Sequence, residues 1–133
     1  MRCHLVCVKQ SSMPSESKEI QRRRLALHSQ IRELYGAPLM RGSVYVRSRR
    51  CGKPTCACAK DPAHRHTSKF LSVWLEGRTR GFHLRPEDEL EVQRAIDTYD
   101  RLWQIINELT ACEVAELRRR VRERRRERAR GKA

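Results

Sequence analysis

No stretch of this sequence is apolar for long enough to cross a membrane, and its first residues, Met1 to Lys9, lack the hydrophobic run of a secretory signal. A cytoplasmic chain with reduced thiols and no membrane partner is therefore expected. Aromatic residues make up only 5% of the sequence, and 38% hydrophobic against 35% charged leaves 133 residues with material for one modest core that needs a further staple. The marks of common active sites are also missing. There is no Ser/His/Asp order, no glycine-rich phosphate loop, and no clustered pair of carboxylates in the basic half, so no enzymatic activity is expected. Acidic residues are outnumbered 16 to 30 by Lys and Arg, which gives a formal net charge of +14 and points to a polyanionic partner.

What the chain does have is cysteine in a dense group. Six thiols stand at positions 3, 7, 51, 56, 58 and 112, and three of them lie in Cys51-Gly52-Lys53-Pro54-Thr55-Cys56-Ala57-Cys58, with His64 and His66 close behind. Gly52, Pro54 and Pro62 prevent a regular helix or strand from running through this stretch. A tetrahedral Zn²⁺, with bonds of about 2.3 Å to sulfur, orders a loop that backbone pairing does not. The expected ligands are Cys51, Cys56, Cys58 and one histidine, and spacing alone leaves His64 and His66 open. In an extended C-x-C step Cys56 and Cys58 fall on one face, while Arg49, Arg50 and Lys53 favour thiolate over thiol. Four protein ligands close the shell, so the ion is expected to be structural. Cys3 and Cys7, with His4, offer further ligands but have no matching partner pair elsewhere.

Residues 1–15 read as a flexible leader, with Met13 a second candidate start. A helix is predicted over Glu16–Tyr35, capped by Ser15 or Ser17, ended by Gly36 and Pro38, and carrying Ile20, Leu27, Ile31, Leu34 and Tyr35 at helical spacing. His28 reads as a surface residue. Val44–Arg47 reads as a strand, and Phe70–Leu75 with Arg78–Leu84 reads as a hairpin around Glu76-Gly77. Leu71, Val73 and Leu75 share one face of the second strand and Phe70 and Trp74 the other; Tyr45, Phe70 and Trp74 are expected chiefly in packing, with base stacking as the alternative. From Pro86 onward, Val92, Ala95, Ile96, Tyr99, Leu102, Trp103, Ile106 and Leu109, continued by Val114, Leu117 and Val121, predict a helix reaching about residue 128. His83 and Cys112 read as structural. The expected fold class is α+β: an N-terminal helix, a three-stranded antiparallel sheet with a Cys/His zinc knuckle between strands 1 and 2, and a long C-terminal helix. It occupies residues 16–121 as a single domain, and the Arg-rich tail 122–133 is expected to project from the core or fray.

The run Cys-Gly-Lys-Pro-x-Cys-x-Cys-Ala, a histidine six residues later, a hairpin and a long amphipathic helix resemble a small uncharacterised bacterial family over about residues 39–120. That domain of unknown function, often found near insertion-sequence transposases, has the pattern C-G-K-x-x-C-x-C-A…H-G-P-Y. Cys51, Cys56, Cys58 and His64 fall on this pattern, so the resemblance implies His64 as the fourth ligand. Arg65, His66 and Thr67 stand where Gly-Pro-Tyr would be, which keeps His66 as the alternative. The resemblance also implies a setting among mobile elements, with a transposase or another mobile-element protein as partner, and it supplies no activity.

The charge is blocked along the chain. Residues 41–69 carry eight basic side chains against one acidic, residues 86–117 two against nine, and residues 118–133 ten against two. One expectation is therefore a module that binds nucleic acid, DNA or RNA, largely through phosphates, using Arg41, Arg47, Arg49, Arg50, Lys53, Lys60, Arg65 and Lys69 around the knuckle. Arg118, Arg119, Arg122, Arg125 and Arg126 serve the same end in the tail. Nothing resembles a base-reading helix with Asn or Gln at helical spacing, so no sequence specificity is expected. The other expectation is an assembly protein, a homodimer or nucleoprotein subunit, in which the acidic half of the long helix pairs antiparallel with the arginine end of a second copy.

Overall fold

In the computed structural model, which describes residues 15–133, the elements follow the expected order. Helix α1 (Glu16–Glu33) precedes strands β1 (Gly42–Arg49), β2 (His66–Leu75) and β3 (Arg78–Leu84), and helix α2 (Glu89–Gly131) closes the chain. The fold is α+β, with an antiparallel sheet of order β1-β2-β3 and the Cys/His cluster between β1 and β2. The leader residues Cys3, His4, Cys7 and Met13 lie outside the described residues. Two units form, one from residues 34–104 and the other from α1 with residues 105–133. Among the described residues no helix is long and apolar enough to cross a membrane.

In the unit of residues 34–104 the β2–β3 turn is Glu76-Gly77, with φ of 51° and 78°. Two successive left-handed residues match the twist of a tight hairpin, and Gly77 takes its share at no steric cost. The register pairs Val44 with Leu71 and Leu71 with Phe82, and, one residue on, Tyr45 with Phe70 and Phe70 with His83. Directly paired residues share a face, so the sheet has two unlike sides. Leu71 and Val73 pack with Ile96 of α2, joined by Met40, Val44 and Val92. The Met40 N–H donates to the Ala95 carbonyl at 3.0 Å, and Lys69 of the same face reaches Glu89 at 2.5 Å. The opposite side carries Tyr45, Phe70, Trp74 and His83. Here the expectation of packing is corrected: Tyr45 is 41% and Trp74 59% exposed, because α2 covers one face and leaves the other to solvent.

In the other unit α1 and residues 105–131 of α2 run antiparallel, with Glu16 paired to Arg122 at 2.6 Å while Arg23 reaches Glu108 at 2.7 Å and Arg24 reaches Glu113 at 2.8 Å. Leu27, Ile105 and Cys112 are buried. The apolar stripe of α2 is therefore set differently from its expected course: Ile105 is 1% exposed and Ile106 39%, with Val114 and Leu117 also exposed. The inward row runs through 105, 109 and 112 at helical spacing, and the adjacent apolar row looks equivalent in sequence. Two ends also differ from expectation. Helix α1 stops at Glu33, where Gly36 at φ 80° turns the chain and leaves Tyr35 93% exposed. Helix α2 continues to Gly131, because Arg119 pairs with both Glu116 and Glu123 at one-turn spacing and relieves the repulsion among arginines.

Candidate metal centre

Residues 50–65, between β1 and β2, make two turns of 3₁₀ helix and no strand. Gly52 at φ 82° reverses the chain directly after Cys51, and the Cys56 N–H donates to the Lys53 carbonyl at 3.1 Å. The first 3₁₀ turn, Ala57–Ala59, is closed by the Ala59 N–H to the Cys56 carbonyl at 3.0 Å, and it carries Cys58 inward to 1% exposure. The C-x-C step is thus a tight turn and not the extended step expected from spacing. A short turn brings the sulfurs together just as well, and its amides become donors to them.

Cys51, Cys56, Cys58 and His66 place their ligand atoms within 4.8 Å of one another. Cys51 Sγ stands 3.5 Å from Cys58 Sγ, far beyond a disulfide bond length of about 2.05 Å, and Cys56 Sγ stands 3.3 Å from His66 Nε2. The Cys51 amide donates to Cys58 Sγ at 3.4 Å. This is a Cys₃His donor set compatible with a metal ion, and four protein ligands leave no coordination position for a substrate.

The electrostatics divide the thiols. The Cys58 backbone N–H donates to Cys56 Sγ and, with His66 and the neighbouring sulfurs, lowers the Cys56 pKa to about 6. For Cys58 the Cys51 amide works to lower the pKa, but desolvation and the sulfurs of Cys56 and Cys51 outweigh it and push the thiol up. Thiolate character at Cys56 thus comes first from an amide dipole and not from the Arg49, Arg50 and Lys53 charges expected to supply it.

Of the two histidines left open by the spacing, the structure gathers His66, and not the His64 that the resemblance implies, with the three sulfurs. Asp61 caps the second 3₁₀ turn, Pro62–His64, accepting the Ala63 N–H at 2.9 Å, and its other oxygen lies 2.7 Å from His64 Nδ1. His64 is thereby held on the carboxylate of its own turn. His66 opens β2 opposite Arg49, and the ladder aims it at Cys56. The signal in the sequence was Arg65-His66-Thr67, which stands where the resemblance expects Gly-Pro-Tyr.

The basic residues fall into two groups. Arg41, Arg47, Arg49, Arg50, Lys53, Lys60 and Arg65 are exposed and form no ion pair with any described carboxylate, and Asp61, the one acidic residue among them, is taken by His64. Lys69, Arg119 and Arg122 are instead engaged by Glu89, by Glu116 with Glu123, and by Glu16. Arg118, Arg125 and Arg126 are exposed on α2. The face bearing Tyr45, Phe70, Trp74 and His83 has its sequence signal in the alternation of Phe70 and Trp74 with Leu71 and Val73.

Neither a curated protein nor a solved structure matches the chain. One family profile does, over residues 17–94, which takes in α1, the cysteine cluster, the whole sheet and the start of α2. The match begins earlier and ends sooner than the span of about 39–120 expected from the cysteine run. Because it covers more than half of the 133 residues, the chain belongs to this family, described as a domain of unknown function (DUF6788).

Proposed function

We propose that this protein is a zinc-stabilised nucleic-acid-binding module without enzymatic activity. Three cysteine sulfurs and an imidazole in a closed set suit Zn²⁺, which accepts tetrahedral sulfur and nitrogen ligands readily. The observation that carries the nucleic-acid reading is the contrast among the cations. Those around the cluster lack carboxylate partners, whereas Lys69, Arg119 and Arg122 are paired. An unpaired arginine on a surface fixed by a metal offers its fork to phosphate oxygens without first breaking an internal bond. Contacts of this kind bind DNA or RNA through the backbone and carry no base code. The accessory role beside a transposase or other mobile-element protein, implied by the cysteine-run resemblance, is part of this proposal.

Titration of a labelled oligonucleotide at rising salt tests it. The affinity should fall log-linearly with salt, with a slope of roughly 0.7 to 0.9 per phosphate neutralised. A flat dependence, or no binding at about 50 mM salt, refutes it. One observation favours a second reading, assembly through α2: exposed Ile106, Val114 and Leu117 share one arc of the helix. Light scattering at high concentration tests that reading, and a strict monomer removes it.

A further inference from the structure

The solvent side of the sheet is built unlike an ordinary polar face. Tyr45, Phe70 and His83 are directly paired across all three strands, so their rings form a row perpendicular to the chain. Tyr45 and Phe70 lie with centroids 5.7 Å apart at 22°, and His83 meets Phe70 edge-on at 5.4 Å. The next row is Ser43, Ser72 and Gly81, and a Cβ at Gly81 would stand 3.2 Å from the Tyr45 hydroxyl. Glycine there lets Tyr45 lie across the strands, where a larger residue would prop it up. Trp74, more exposed than Tyr45, stands on the same side four residues along β2 from Phe70.

The charge of the face is one-sided. None of the three strands contains Asp or Glu. Arg47 and Arg49 alternate onto the same side of β1 as Tyr45, about 7 and 13 Å along the strand. Three strands set about 4.8 Å apart make the aromatic row roughly 10 Å wide, and Trp74 lies a further 13 Å or so along. That area fits two or three splayed nucleotides, with aromatic rings available to the bases and guanidinium groups to the phosphates.

We infer that this open face is a stacking platform for unpaired bases of a single-stranded nucleic acid. The inference rests on the nucleic-acid reading above and narrows it from phosphate binding of any strand to base contact with an unpaired one. A duplex keeps its bases stacked on each other, so it offers these rings nothing beyond its backbone. Every base has a π-face, so stacking selects single strands without selecting sequence, in keeping with the lack of a base-reading helix.

The test compares three DNA probes of equal phosphate number by fluorescence anisotropy with the full-length protein: a mixed-sequence single strand, an abasic single strand, and a duplex. The base-bearing strand should bind at least about fivefold tighter than the abasic one, since each stacked base contributes that much or more. Trp74→Leu and Tyr45→Leu keep apolar bulk but remove the aromatic face. Each should weaken the base-bearing strand at least about fivefold and leave the abasic strand unchanged. If Tyr45→Leu fails to fold, the exposed Trp74 variant and the abasic comparison still decide. The same strand made as RNA distinguishes the two sugars, and the aromatic variants should show the same loss on whichever strand binds tighter. Equal binding of base-bearing and abasic strands, with salt dependence intact, overturns the platform and leaves the phosphate reading standing. No binding of any probe at about 50 mM salt overturns both.

Discussion

Replacing His66 by alanine should weaken metal binding strongly, while replacing His64 should not. A tetrahedral zinc with bonds of about 2.3 Å to sulfur and about 2.0 Å to nitrogen requires sulfurs roughly 3.8 Å apart and sulfur to nitrogen roughly 3.5 Å. The Cys51–Cys58 and Cys56–His66 separations of 3.5 and 3.3 Å fall about 0.2 to 0.3 Å short of these, and all four ligand atoms lie within 4.8 Å of one another, so side-chain adjustments of up to about 1 Å bring them to one ion. Structural zinc sites of this kind contribute about 10–16 kcal/mol, or roughly 3 kcal/mol for each of four ligands. His66→Ala should therefore weaken zinc binding by about two decades. His64→Ala removes only an exposed contact with Asp61, of the kind that contributes at most about 1 kcal/mol, so affinity should change less than about fivefold. Competition with a chromophoric chelator measures both constants, and Co²⁺ absorption reports the thiolate ligands directly. Loss of metal in His64→Ala with retention in His66→Ala would refute the geometry of the cluster.

Three further outcomes follow from the structure. Ile105→Ala should cost about 3 kcal/mol and lower the thermal midpoint by about 10 °C, whereas Ile106→Ala should shift it by no more than about 2 °C; the reverse order would show that α2 is rotated from its described register. Glu116 has its pKa lowered below 4.5 by the hydrogen bond from Arg119, with the Arg119, Arg120 and Arg24 charges adding to it. Its contribution to stability is complete above the unfolded-state value and is lost as pH falls through the lower folded-state value. Glu116→Gln should therefore flatten the acid limb of melts followed by circular dichroism below about pH 4.5, and an unchanged limb would refute the assignment. Finally, Arg47→Ala with Arg49→Ala should reduce the salt slope of nucleic-acid binding by about one for each arginine, and an unaltered slope would remove both from the phosphate contacts.

The order of elements was legible because each carried a local signature. Glu76-Gly77 marked its hairpin, the prolines and glycines isolated the cysteine stretch, and the apolar recurrence after Pro86 announced a helix. What was not legible depended on contacts distant in sequence. Ile105 and Ile106 are equally apolar neighbours, and only packing decides which one is buried. The histidine choice turned on Asp61, whose carboxylate caps the Pro62–His64 turn and keeps His64 for itself. The aromatic face is hidden in the sequence because scarcity of aromatics suggests that each is needed in the core, whereas Tyr45 and Trp74 are exposed. Leu71, Val73 and Ile96 fill the core of that unit without them.

The Cys/His cluster and the aromatic face belong to one ladder, and this gives the cluster a reason beyond local order. A slip of one residue between β1 and β2 would carry every side chain to the wrong side. The sixteen-residue connection between these strands is far longer than a hairpin turn and so sets no register by itself. His66 is the first residue of β2 and pairs with Arg49 at the end of β1, and four residues along the same ladder Phe70 pairs with Tyr45. An ion that holds His66 to Cys51, Cys56 and Cys58 would therefore pin the register at the connection, as Glu76-Gly77 does at the other end of β2. Tyr45 and the two arginines share one side of β1 by alternation, and an ion at the edge of the sheet would keep Phe70 of β2 aligned on that same side.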